Sequence, residues 1–273
     1  MDNFYLSEIN IYPVKSLGGI SLQEAQLEDR GLQYDRRWML ITENGMFITQ
    51  RKYFALALLQ VSIEEGRLTV THKNDPSKHI SFGLEENTGR TFPLSIWDDE
   101  SQGLEVSESV NDWFSEFLQM KVRMVHMPLE AKRLVDPRYA LANEIVSFAD
   151  GYPCLLIGQA SLDGLNEKLS GAVPMNRFRP NFVFTGGTPH IEDTFSNFYL
   201  GDTLFSAVKP CARCVLTTID QQTGEKKQEP LKTLAGYRTI NKKVMFGQNL
   251  IHKGNGIIRV GDQLKIETWK API

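Results

Sequence analysis

Arg36–Arg51 reads RRWMLITENGMFITQR, and this stretch decides the fold of the N-terminal half. Two apolar runs, WMLIT and MFITQ, flank Glu43-Asn44-Gly45. Asn-Gly between β-formers is the strongest short hairpin cue, because a type I′ turn needs positive φ at both central residues. The spacing predicts two antiparallel strands joined by that turn. Upstream, FYLSEINIYPV beginning at Phe4 is strand-like, and Ser16-Leu17-Gly18-Gly19 reads as a turn. Downstream, RLTVTH and HISF read as short strands around a polar turn, Lys73–Lys78. Many short strands in succession predict a small barrel or sandwich.

The pattern changes at Asp112–Leu118, where Trp113, Phe114, Phe117 and Leu118 have helical spacing and Asn111 or Asp112 can cap the start. Ala160–Leu169 is a second helix, with Leu162, Leu165 and Leu169 as its apolar stripe. Both stripes read as core-packing faces. VLTTID after Cys214 and IIRVGDQLKIET read as strands, the latter broken by a turn at Val260-Gly261-Asp262. The expected architecture is mixed α/β and β-rich. An N-terminal β-barrel-like domain is expected over residues 1–105, and a second β-barrel domain with a few helices over 106–273.

The 273 residues include 41% hydrophobic and 23% charged side chains, enough to bury a core. Thirty Lys and Arg against 33 Asp and Glu leave a net charge of −3. Non-specific nucleic-acid binding needs a basic surplus to release phosphate counterions, so no nucleic-acid partner is expected. No run approaches the roughly 18 apolar residues of a membrane helix, so no membrane partner is expected. The start, MDNFYLSEINIYPV, carries Asp2 and Glu8 where a secretory leader has a basic, then apolar, segment. Three cysteines, Cys154, Cys211 and Cys214, give no disulfide framework, and a reducing, cytoplasmic setting is expected.

The five histidines, His72, His79, His126, His190 and His252, offer no i, i+4 pair for a helical metal site. P-loop and G-x-S-x-G patterns are absent. Cys154, between Pro153 and an apolar run, reads as a small buried hydrophobe. The informative stretch is Lys209–Asp220, KPCARCVLTTID. Its C-x-x-C runs into a β-branched string, unlike a thioredoxin-type helix start. A structural zinc needs two more thiolate or imidazole ligands than the stretch provides. A single thiolate between Arg213 and Lys209 remains, beside the alternative of an inert loop cysteine; positive neighbours favour the thiolate, the form that ligates soft metals. Three basic clusters accompany it: Asn176–Phe182 (NRFRPNF), Tyr12–Ser16 (YPVKS) followed by Gly18-Gly19, and Asp35–Trp38 (DRRW). Guanidinium forks, a lysine and exposed turn amides suit phosphate or carboxylate oxygens. Together they point to an anionic ligand held beside one thiolate.

In order and approximate spacing, YPVKS, DRRWM, RFRPNF, CARCVLTTID and FGQN resemble the MOSC superfamily, over about residues 4–267. The resemblance is to its two-part members, an N-terminal MOSC β-barrel domain followed by the MOSC domain, which include the mitochondrial amidoxime-reducing component and its bacterial counterparts. It implies a molybdenum cofactor and an enzyme that reduces small N-hydroxylated substrates such as amidoximes and hydroxylamines. It implies that Cys214 is the catalytic residue and molybdenum ligand. It implies that Lys15, Ser16, Arg36, Gly151, Tyr152, Arg179, Asn181, Ala212, Arg213 and Asn249 bind the cofactor; Asn249 stands where animal members have Tyr. Lys15, Arg36 and Arg179, far apart in sequence, are therefore expected in one pocket between the domains. Some bacterial relatives carry a ferredoxin domain. Its cluster needs four cysteines and this chain has three, so electrons are expected from a separate donor protein. The competing function is a molybdenum-cofactor or sulfur carrier that uses Cys214 as a persulfide.

Overall fold

The computed structural model describes residues 3–272. Its strands build one closed barrel and a second, smaller β body. Going round the barrel, Cys154–Gly158 runs parallel to Phe182–Thr185. Phe182–Thr185 then pairs antiparallel with Phe4–Ile11, and Phe4–Ile11 with Gln263–Trp269. Phe195–Leu200, Thr203–Arg213 and Lys243–Lys253 follow. Lys243–Lys253 pairs back to Cys154–Gly158 and closes seven strands. Alternation along these strands sends Phe4, Phe182, Phe184, Phe195, Phe198 and Phe205 into one apolar core. Several of these rings meet edge to face, as Phe4 does with Phe184 at 5.8 Å.

The second body holds a four-stranded sheet in the order Trp38–Thr42, Val122–His126, Asp99–Glu105, Thr91–Ile96. A three-stranded sheet of Leu59–Glu64, Arg67–His72 and Asp75–Gly83 accompanies it. The helix Glu108–Leu118 packs with both sheets around Trp38, Phe82 and Phe114. The two bodies exchange chain. The first strand lies in the barrel, and the helix and Val122–His126 lie with the second body. Between them the chain crosses more than once: Val14 and Leu17 pack in the second body, Ile20–Leu22 pairs with the first strand, and Ala25, Leu27 and Leu32 return to the barrel core before Trp38 enters the second body. A small sheet, with Glu24–Glu28 between Gly31–Leu32 and Gly256–Arg259, packs Ala25, Leu27, Leu32 and Ile258 into the barrel core.

Local details differ from expectation for identifiable reasons. In the quoted hairpin only Gly45 has positive φ (75°), and Asn44 does not. The Gly45 amide donates to Thr42 O, so the turn is type I closed by a left-handed glycine rather than type I′. The second arm is reduced to a bridge, Ile41 to Phe47. The turn expected over Lys73–Lys78 is shorter, since a strand begins at Asp75. The first helix starts at Glu108 rather than at Asp112. Asn111 is inside it as a buried link, its amide donating to Glu105 and its carbonyl accepting from Met124 N. The second helix spans Gln159–Asn166 and buries Leu162 and Leu165 as the stripe implies. VLTTID is not a strand: Val215–Thr218 is a 3₁₀ turn. The Thr217 and Thr218 hydroxyls donate to the carbonyls of Cys214 and Val215, which gives the backbone a local alternative to a ladder. Among the described residues, no helix is long and apolar enough to cross a membrane.

Candidate functional site

Between the two bodies opens a cleft. Lys15, Ser16, Arg36, Gly151, Tyr152, Arg179, Asn181, Ala212, Arg213, Cys214 and Asn249 all line it, so the structure brings every sequence-nominated site residue to one place. Thr49, Arg51, Asp150 and Cys211 line it too and were not nominated from sequence as site residues.

Each wall follows from local structure. Lys15 and Ser16 sit in the turn after the first barrel strand, pinned by Lys15 N donating to Trp38 O. Arg36 N donates to Tyr12 O, which fixes the DRRW corner against that turn. Arg179 and Asn181 lie between a 3₁₀ turn, Met175–Arg177, and the strand Phe182–Thr185. Asn181 N donates to Leu155 O, and Asn181 O accepts from Asn10 N. Cys211–Arg213 end the long strand Thr203–Arg213, where pairing with Lys243–Lys253 slips between Pro210 and Ala212. A bulge at this position re-aims side chains without ending the strand. Ser16, Arg36 and Arg179 have φ of 72°, 50° and 56°, backbone that non-glycine residues rarely adopt. Such strain persists where surrounding structure over-determines it, and here it falls on three cleft residues.

The electrostatics favour an anion. Five cations, Lys15, Arg36, Arg51, Arg179 and Arg213, face one carboxylate, Asp150. Lys15 Nζ donates to Asp150 Oδ1 at 2.6 Å and to Phe148 O at 2.7 Å. Burial pushes Lys15 down from its usual range to about 8. Although burial opposes ionisation of Asp150, Lys15 and Arg51 hold its carboxyl far below the ordinary range. Arg36 Nη1 donates to both oxygens of buried Asp35 and to Asn181 Oδ1. The Asn181 amide is itself engaged at both ends, accepting from Leu155 N and donating to Asn10 O. Arg36 and Arg179 both lie over the Tyr12 ring, at 4.3 and 4.1 Å. Burial lowers Arg179 to about 10, so it remains cationic at neutral pH.

Around Cys214 the donors are guanidinium groups. Arg51 Nε donates to Cys214 Sγ at 3.1 Å, and Arg51 Nη2 to Asp150 Oδ2 at 2.6 Å. Arg213 Nη1 donates to Cys211 Sγ at 3.0 Å, and its Nη2 to Phe178 O at 2.6 Å. Asn249 Nδ2 reaches Pro210 O at 3.5 Å. Cys154 is buried on its barrel strand, and burial pushes its thiol well above the ordinary range.

Among the described residues, three buried polar atoms of the cleft have no hydrogen-bond partner: Arg179 Nη2, Arg213 Nε and Tyr152 Oη. An orphaned buried donor costs about 1–3 kcal/mol, so a cleft that keeps three of them is shaped for a ligand carrying acceptor oxygens or nitrogens. A phosphate-bearing, hydrogen-bonding cofactor with a soft metal beside Cys214 fits this donor set.

Comparison with known proteins agrees with this architecture. Residues 3–121 match the MOSC N-terminal beta barrel domain, and residues 143–265 match the MOSC domain. The chain is 32% identical over 275 residues to the mitochondrial amidoxime-reducing component 1 of Mus musculus, covering 94% of this chain and 80% of that protein. It is 32% identical over 276 residues to the mitochondrial amidoxime reducing component 2 of Rattus norvegicus, covering 94% and 81%. It is 29% identical over 266 residues to a molybdenum cofactor sulfurase of Oryza sativa subsp. japonica, covering 90% of this chain but 32% of that protein. The chain belongs to the MOSC family, in its two-part form with an N-terminal MOSC β-barrel domain.

Proposed function

We propose that this protein is a molybdenum-cofactor-dependent oxidoreductase that reduces small N-hydroxylated compounds, amidoximes and hydroxylamines, with electrons from a separate donor protein. The observation that carries this reading is the convergence of five cations on a cleft that Cys214 also lines. The names of the mammalian relatives support the substrate class. When bound, the molybdenum cofactor supplies the redox chemistry, and the protein binds, orients and tunes it.

Within this reading Lys15, Ser16, Arg36 and Arg179 hold the phosphate. Charge-assisted hydrogen bonds to it are worth about 1.5–3 kcal/mol each. Asn181 keeps the Arg36 fork aimed into the cleft. Gly151, Tyr152, Ala212 and Asn249 border the pterin, and Arg213 offers it the free Nε. Cys214 ligates the metal, and Arg51 holds its sulfur in place. The three free cysteines support a reducing, cytoplasmic setting.

Protein purified from a host that makes the cofactor is expected to contain molybdenum and pterin in equal amounts, near one per chain. Cys214→Ser is expected to abolish reduction of a test amidoxime by an artificial electron donor, because a hydroxyl replaces a soft thiolate poorly. Cys211→Ser is expected to keep most activity per bound pterin. Zinc without pterin, or equal loss in the two mutants, would overturn the assignment. Loaded wild type that reduces no amidoxime but yields a Cys214 persulfide would establish the carrier function instead.

A further inference from the structure

Trp97 lies at the tip of the hairpin formed by Thr91–Ile96 and Asp99–Glu105, far in sequence from the CARC strand. Its φ is 56°, a left-handed conformation that is a genuine outlier for a bulky side chain. The two-residue turn Trp97-Asp98, between paired Ile96 and Asp99, requires it at its first central position. The indole is 48% exposed and makes three contacts. The indole lies 4.6 Å from the Arg51 guanidinium, and its Nε1–H donates to Asp150 Oδ1 at 3.4 Å. Phe47 braces the ring edge-on at 4.9 Å. Arg51 is thus held from two sides, by the indole face and by the Asp150 carboxylate, and its Nε–H points at Cys214 Sγ.

We propose that Arg51 is a tuning residue that keeps an N–H···S hydrogen bond on the metal-ligating sulfur of Cys214, and that Trp97 is the positioning residue that locks Arg51 there. The inference rests on Cys214 being the molybdenum ligand. Hydrogen bonds to ligand sulfurs and the groups that orient them set reduction potentials and are conserved in function with the ligands themselves. A guanidinium charge beside the sulfur stabilises the more electron-rich, reduced centre, so it raises the midpoint potential. Trp97 suits the positioning role because a flat guanidinium stacks on a flat indole, and stacking fixes the plane of the fork.

The test uses holoprotein with bound molybdenum and pterin quantified, and reads the midpoint potential of the molybdenum EPR signal. Arg51→Gln is expected to lower the potential. Trp97→Ala is expected to lower it in the same direction by less, and Trp97→Phe, which keeps an aromatic face, to restore most of the wild-type value. With saturating donor, Arg51→Gln is expected to reduce kcat about ten-fold at little-changed KM, the scale seen when outer-shell partners of metal ligands are removed. An unchanged potential in Arg51→Gln would overturn the tuning role. An unchanged potential in Trp97→Ala, or no recovery in Trp97→Phe, would overturn the positioning role. Failure of the underlying reading looks different: wild type would lack molybdenum, or Cys214→Ser would retain the wild-type EPR signal.

Discussion

Lys15 carries a proton that its surroundings hold less firmly than water would. It is 6% exposed, and burial brings it to about 8. Below that pH it is cationic and completes the anion cradle; above it, the cradle loses one charge. Sulfate keeps constant charge across this range and is the clean probe. Its affinity for cofactor-free protein is expected to fall about ten-fold as pH rises through 8, with the inflection at or slightly above 8 because bound anion favours the charged lysine. Lys15→Met is expected to bind sulfate weakly at all pH values with no inflection. An inflection surviving in that variant, measured by calorimetry, would assign the titration elsewhere. Lys15 was legible in the sequence because YPVKS declares itself locally, as do RPN and CARC. Arg51 and Asp150 were not. Arg51 closes the very hairpin that revealed the fold, but its partner Cys214 lies 163 positions away, and no local pattern records that meeting.

At the scale of elements, Asn-Gly located the strand Trp38–Thr42 but not a second arm, and helical spacing located two helices while the short helix Leu231–Ala235 gave no such signal. The errors came where side chains compete with ladders. The β-branched VLTT closes into a 3₁₀ turn through its own hydroxyls, and the Asn111 amide ties its helix to Glu105 and Met124 instead of capping it. Glu192 is a similar case, with no sequence signal. It lies fully buried in the 3₁₀ turn Ile191–Thr194, accepting from Ser161 Oγ at 2.7 Å and Gly158 N at 3.3 Å. Burial raises it to about 7 from its ordinary 4.5. An acid whose folded value is raised stabilises the fold below its unfolded value, and that contribution fades as pH climbs through the folded one. His126 and His190, both lowered by burial to about 4, have the opposite slope over much of the same range. The difference between wild type and Glu192→Gln isolates the carboxyl. Relative to that variant, wild type is expected to lose about 3 kcal/mol between pH 4.5 and 7, measured by urea unfolding. Parallel pH profiles would refute it.

For the whole molecule, the decisive feature is that Phe4–Ile11 belongs to the barrel while the second body is inserted after it. Sequence composition could not reveal this, because strand pairing partners 170 and more residues apart leave no local trace. Phe4, Leu6, Ile9 and Ile11 are buried in the barrel core. At about 1.5–3 kcal/mol for each buried side chain, their loss rivals the typical 5–15 kcal/mol of a domain. A chain begun at residue 12 is therefore expected to show no cooperative thermal transition by circular dichroism, and a cooperative melt near the wild-type temperature would refute the dependence. The same arrangement has a consequence for biosynthesis. Phe4–Ile11 can pair early with Ile20–Leu22, but its barrel neighbours Phe182–Thr185 and Gln263–Trp269 leave the ribosome only much later. The cleft, whose walls run from Lys15 to Asn249, comes into being only once Asn249 has left the ribosome. Ligand loading is thereby ordered behind synthesis of the last cleft wall, and a product abandoned before it cannot sequester the ligand meant for finished copies.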